Sequence, residues 1–113
     1  MFKVNPKTGA LSVLHGFTAG ADGAAPLDAL IYNNGTLFGT TWGGGGTGCE
    51  GGGCGTVFSV NPKTHVETVL HRFSGGADGG NPYAGLAYQD GSFFGTTSSG
   101  GASNYGTVFK LTP

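Results

Sequence analysis

The sequence predicts an all-β fold: a β-propeller of four-stranded antiparallel blades, two repeats to the chain. Three observations carry this. Residues 2–41 are written again as residues 58–97, at an offset of 56. Apolar runs are short, rich in β-branched and aromatic residues, and bounded by glycine. Both alternations along the best strands are apolar, which asks for a neighbour on each face of the sheet. A period near 50 residues marks a unit that stacks on copies of itself, and radial stacking of four-stranded sheets is the propeller. A sandwich is the second choice.

The copies align closely. Phe2-Lys3-Val4-Asn5-Pro6-Lys7-Thr8 returns as Phe58-Ser59-Val60-Asn61-Pro62-Lys63-Thr64, and Leu14-His15-Gly16-Phe17 returns as Leu70-His71-Arg72-Phe73. Ala21-Asp22-Gly23 and Pro26 return as Ala77-Asp78-Gly79 and Pro82, and Phe38-Gly39-Thr40-Thr41 as Phe94-Gly95-Thr96-Thr97. Gly106–Leu111 then repeats Gly55–Val60 at an offset of 51, so one loop changes length by five residues. The expected division is repeat 1 over about 2–54, repeat 2 over about 58–105, and a surplus strand at 107–111.

Four strands are expected in each copy. They are Phe2–Val4, Leu11–Phe17, Ala29–Tyr32 and Thr36–Thr41, then Thr56–Val60, Glu67–Phe73, Ala84–Tyr88 and Ser92–Thr97; Thr107–Leu111 is a ninth. Each set of four should form one meander. Val57, Val69 and Phe73 should face one way, with Phe58, Val60 and Leu70 facing the other. Asn34-Gly35 and Asp90-Gly91 join apolar runs and supply the two positive φ angles of a type I′ hairpin. Asn5-Pro6-Lys7-Thr8-Gly9 reads as a type I turn followed by a left-handed Gly, and His65 takes that Gly's place in the second copy. Helix is excluded nearly everywhere by Gly and Pro; the one long window, Lys63–Ser74, carries Thr64, Val66, Thr68 and Val69, which are stiff at χ1.

Composition narrows the function. The chain has 25 Gly in 113 residues, but eight Phe, four Tyr and one Trp argue against disorder. Net charge is −1 with no basic stripe, so no nucleic-acid partner is expected. No apolar run approaches the ~20 residues of a membrane span. Met1 leads straight into the first copy with no signal-peptide pattern, which fits a cut from a longer array, a mature fragment or an engineered start.

Gly-Thr-Val-Phe-x-Val-Asn-Pro-x-Thr-Gly, Val-Leu-His-x-Phe, Ala-Asp-Gly-x-x-Pro and Leu-Phe-Gly-Thr-Thr-x-x-Gly-Gly together resemble the GloVer tandem repeat of bacterial choice-of-anchor proteins. The resemblance covers nearly the whole chain. It extends distantly to kelch repeats. It implies extracellular or cell-surface arrays held by varied C-terminal anchors, and no catalytic residues; this chain carries two repeats and no anchor.

Candidate chemistry is sparse. Asp22 and Asp78 hold equivalent Ala-Asp-Gly loops. Calcium would need about six oxygens, so an Asx-type turn is favoured. Cys49 and Cys54 lie in the loop Trp42–Cys54. A disulfide there is favoured over a zinc site, which needs further ligands, and over free thiols; it would suit an oxidising compartment. His15 and His71 are expected as packed or interface residues, with no acidic residue recurring beside them to make a Ser-His-Asp arrangement. Gly43–Gly46 lacks the Lys and helix of a phosphate loop. Asn34-Gly35-Thr36 matches a glycosylation sequon, but the hairpin explains it. Trp42 and Tyr105 sit in the loops that differ between copies, where binding residues concentrate; they suit sugar rings or protein partners, or equally loop packing.

The expected function is a non-enzymatic extracytoplasmic scaffold with no catalytic residue, metal or cofactor. Its first partner is itself, three or four chains completing a ring; a head-to-tail filament is the alternative assembly. A glycan or a surface protein is a further expected partner. The alternative class is a fragment of a propeller-type polysaccharide hydrolase or lyase.

Overall fold

A computed structural model describes residues 1–113. It is all-β, with nine strands: β1 (Phe2–Val4), β2 (Leu11–Val13), β3 (Ile31–Asn33), β4 (Thr36–Thr41), β5 (Thr56–Val60), β6 (Glu67–Arg72), β7 (Ala87–Gln89), β8 (Ser92–Thr97) and β9 (Thr107–Leu111). They form three antiparallel sheets in an elongated body of 49 × 33 × 19 Å. No helix is long and apolar enough to cross a membrane.

The sheets are out of phase with the sequence repeat. The central sheet has the order β3-β4-β5-β6, so two of its strands come from each copy. On one side lies the pair β1-β2, and on the other the three strands β7-β8-β9. The expected meander within one copy is therefore corrected: β2 does not pair with β3, nor β6 with β7. The reason is the long loop that follows β2 and β6. Its Asp-Gly corner folds back, and Ala24 and Gly80 bridge instead to Gly43 and Ser99, just beyond β4 and β8.

Hairpin chemistry sets the remaining pairs. Asn34 and Gly35 have φ of 50° and 80°, and Asp90 and Gly91 52° and 83°, in the left-handed region that a type I′ turn requires. Gly9 and His65 take the same corner at 73° and 64°, each closing a loop whose Asn5 or Asn61 carboxamide oxygen accepts two backbone N–H groups.

Strand β2 stops at Val13, short of the expected Phe17, while β6 runs to Arg72. The difference lies in their partners. β5 reaches back to Thr56 and pairs with Arg72, whereas β1 begins at Phe2 opposite Val13. Strands β3 and β7 begin later than expected, at Ile31 and Ala87.

The core lies between sheets. Leu14, Phe58 and Val60 fill the space towards β1-β2, and Phe38, Val57, Phe73, Leu86 and Phe93 fill the space towards β7-β8-β9. Val57 and Phe58 thus point to opposite cores, as the alternation requires. Leu70 joins Val57's side, and Val69, directly opposite Phe58, takes Phe58's side, both against expectation. A register shift between Val57 and Phe58 leaves Leu70 as the extra residue of a bulge, which moves it to the other face. Aromatic contacts join these layers: Phe17 edge-on to Phe58 at 5.1 Å, Phe38 tilted over Phe93 at 4.2 Å, and Phe73 edge-on to Phe109 at 5.2 Å.

Candidate functional site

Two polar clusters repeat with the sequence. The loop after β2 brings Asp22 back under His15, with His15 Nε2 3.1 Å from Asp22 Oδ2. The Thr18 hydroxyl and backbone N–H donate to the same carboxylate at 2.5 and 3.0 Å. In the second copy His71 Nε2 lies 2.9 Å from Asp78 Oδ2, and the Ser74 hydroxyl and N–H donate at 2.5 and 3.0 Å. An acidic residue does recur beside each histidine, contrary to expectation, seven positions along the chain. The turn role of Asp22 and Asp78 also takes a different form: each reaches back four residues for its N–H donor.

These clusters are not triads. In a Ser-His-Asp triad the imidazole stands between hydroxyl and carboxylate and takes the hydroxyl proton. Here the carboxylate stands in the middle, so the Ser74 hydroxyl donates to Asp78 and not to His71. The Thr18 hydroxyl bond chiefly holds the Asp22 carboxyl below its ordinary range, against burial. Burial raises Asp78, and the Ser74 and His71 hydrogen bonds together outweigh it, leaving it lowered. Asp-Gly is needed for packing too. Gly23 has φ of 106°, and a Cβ there would lie 2.6 Å from Thr41 Oγ1. Gly79 at 93° meets Thr97 and Thr107 in the same way.

The clusters differ in cover. β6 lies over the first: burial raises the Glu67 carboxyl, with His15, Asp22 and Arg72 the charges around it, and Arg72 Nε donates to Ala21 O at 3.1 Å. The Glu67 Oε2 atom is buried without a hydrogen-bond partner. β9 is the edge of its sheet, and the second cluster opens into a 230 Å³ groove lined by Val57, His71, Phe73, Asp78, Val108 and Phe109 among others. Side-chain exposure of the His–Asp pair rises from 21% and 18% in the first copy to 39% and 29% in the second.

The variable loop makes the other feature. Cys49 and Cys54 form a disulfide, and Cys54 is fully buried in the core. Trp42, Cys49, Glu50, Gly52, Gly53 and Asn81 line an open groove of about 360 Å³. The Trp42 ring stands edge-on to Tyr83 at 6.4 Å, and both rings are solvent-exposed. Asn81 ties this groove together: its side chain donates to Trp42 O, and its N–H to Cys54 O. Its carbonyl accepts from Ser98 N–H and hydroxyl. Tyr105 is almost entirely exposed and does not line the groove, so the two aromatic candidates are not brought together. No group of three or more His, Cys, Asp or Glu residues is placed to hold a metal ion.

Sequence reasoning missed Asn81, Tyr83 and the His–Asp pairing. The last was visible as His and Asp recurring seven apart in both copies. The model of the Gloeobacter/Verrucomicrobia repeat matches residues 1–113. The chain belongs to that repeat family. No curated protein and no solved structure gives a significant match. The internal repeat accounts for the paired clusters, since each copy supplies its own His, Asp and Asp-Gly corner.

Proposed function

We propose that this member of the Gloeobacter/Verrucomicrobia repeat family is a non-enzymatic, extracytoplasmic scaffold of propeller blades that associates with further copies of itself. One observation carries the reading: a complete four-stranded sheet stands between a two-stranded and a three-stranded one, each with an open edge. Open edges are templates for another strand. Closed propellers have about four to eight blades, so three or four copies of this two-repeat unit would make a ring. The Cys49–Cys54 disulfide is compatible with an extracellular location. Solution mass by light scattering tests the reading. A discrete trimer or tetramer is expected, and a monomer at every concentration overturns it.

A second reading is favoured by the Trp42–Tyr83 groove. Two exposed aromatic rings beside the Asn81 amide and the Glu50 carboxylate suit the apolar face and hydroxyls of a sugar ring. Binding on a glycan array that disappears in Trp42→Ala supports it; an array without hits removes it. A hydrolase or lyase gains no support from these residues, since Glu50 has no second carboxylate beside it in the groove.

A further inference from the structure

The Trp42 groove is made where the two copies disagree. At the offset of 56, Trp42 answers to Ser98, Tyr83 to Leu27 and Asn81 to Ala25, and Glu50 lies in the loop that changes length. Each is missing from the equivalent place, so the repeat fold does not require them. Trp42 and Glu50 belong to the first copy, Asn81 and Tyr83 to the second, and the groove lies at their join. Its side-chain chemistry is one-sided. The Asn81 amide is engaged at both ends: Nδ2 donates to Trp42 O at 2.9 Å, and Oδ1 accepts from the Ser99 hydroxyl at 2.9 Å. Glu50 is the charged residue of the lining, with no Lys, Arg or His beside it. The ion pairs of the chain are His15–Asp22 and His71–Asp78, so the exposed Glu50 carboxylate is free.

We propose that the groove binds an amino sugar: a glycan unit with a free, protonated amino group, its ring on Trp42 and its ammonium at Glu50. This rests on the sugar reading above and names the charge of the sugar. An aromatic face attracts a cation through its quadrupole as well as covering an apolar sugar face. The Trp42 and Tyr83 planes meet at 72°, so they wall the site from two directions. Glu50 supplies the opposite charge, and its loop is held before any ligand arrives. Cys49 is tied to Cys54, the Gly53 N–H donates to Gly48 O, and the Gly44 N–H donates to Gly52 O. Little ordering of the loop then opposes binding. An N-acetylated sugar brings no charge to Glu50, and a uronic acid brings the wrong one.

The test uses the full chain. Trp42 is its one tryptophan, so intrinsic fluorescence reports on the groove directly. Glucosamine oligomers and N-acetylglucosamine oligomers of matched length are titrated at about pH 5.5, where a sugar amine is protonated. The free-amine oligomer is expected to change Trp42 fluorescence saturably and to bind about fivefold more tightly than the acetylated one. That preference should vanish in Glu50→Gln and shrink as salt is raised. Glu50 is exposed and unpaired, so the Gln variant keeps the fold. Trp42→Ala, followed by calorimetry, is expected to weaken the free-amine oligomer about tenfold. Equal binding of the two oligomers, a preference for the acetylated one, or a preference that survives Glu50→Gln overturns the amino-sugar assignment and leaves the sugar reading standing. Binding of neither overturns the assignment too, and the glycan array then decides the sugar reading by itself.

Discussion

His71 Nε2 stands 2.9 Å from Asp78 Oδ2, and the same carboxylate holds the Ser74 hydroxyl. Asp78 is thus the fastening of the loop after β6 to its own strand. Asp78→Ala leaves the Ser74 N–H and hydroxyl and the His71 ring without an acceptor. It is expected to cost about 2 kcal/mol in urea unfolding, with Ser74→Ala costing about 1 kcal/mol. A loss no larger for Asp78→Ala than for Ser74→Ala would separate His71 from the fastening.

Acid should loosen both fastenings. The Asp22 and Asp78 carboxyls are depressed in the folded chain, so the unfolded chain binds protons more readily. Their contribution is complete above the unfolded value of about 3.9, and is lost as pH falls through the lower folded values. The urea midpoint is expected to drop below about pH 4, more shallowly in Asp78→Ala than in wild type. An equal acid slope in the two proteins would contradict the assignment.

Glu67 carries the opposite sign. Burial raises its carboxyl, so the folded chain favours the protonated form, and the cost is present above the folded value and relieved as pH falls through it. Glu67→Leu, copying Leu11, is expected to stabilise by about 1 kcal/mol at pH 7, raising Tm by several degrees. Calorimetry at pH 7 and pH 4.5 checks it: the gain should shrink at the lower pH.

The disulfide props the Trp42 groove. Gly75 packs close to both sulfurs, since a Cβ there would lie 2.9 Å from Cys54 Sγ and 3.2 Å from Cys49 Sγ. Cys49→Ser with Cys54→Ser is expected to cost about 2 kcal/mol through loop entropy alone. Burial of Cys54 makes the double variant also a polar substitution in the core. Reduction of the native chain is therefore the cleaner measurement, read by Trp42 fluorescence against urea.

Much of the fold was legible because it is written twice. The hairpins at Asn34-Gly35 and Asp90-Gly91 follow from local φ demands, and Val57 and Phe58 announce two cores by alternation alone. The phase of the sheets was not legible. Pairing between strands is a non-local choice, and nothing in the run from Phe17 to Leu30 states that its Asp-Gly corner folds back. Strand ends failed for the same reason: β2 is short because of where β1 begins. At the candidate sites, Cys49 and Cys54 could be read from their loop. Asn81 and Tyr83 could not, because they reach Trp42 across about 40 residues of chain and belong to the other copy.

The half-step between repeat and sheet decides how the chain bears load. Each copy contributes one side of the β4–β5 seam, which runs through five residue pairs from Leu37–Val60 to Thr41–Thr56. Pulling two copies apart means tearing a ladder of backbone bonds, whereas sliding two apolar faces past one another would be easier. A cut placed at the written boundary near residue 55 splits the central sheet into halves that cannot cover their own edges. A cut in the loop after β2 or after β6 leaves that sheet whole. The unit that was copied is therefore the wrong unit to excise, and the excisable one begins near Leu30 and ends near Phe73.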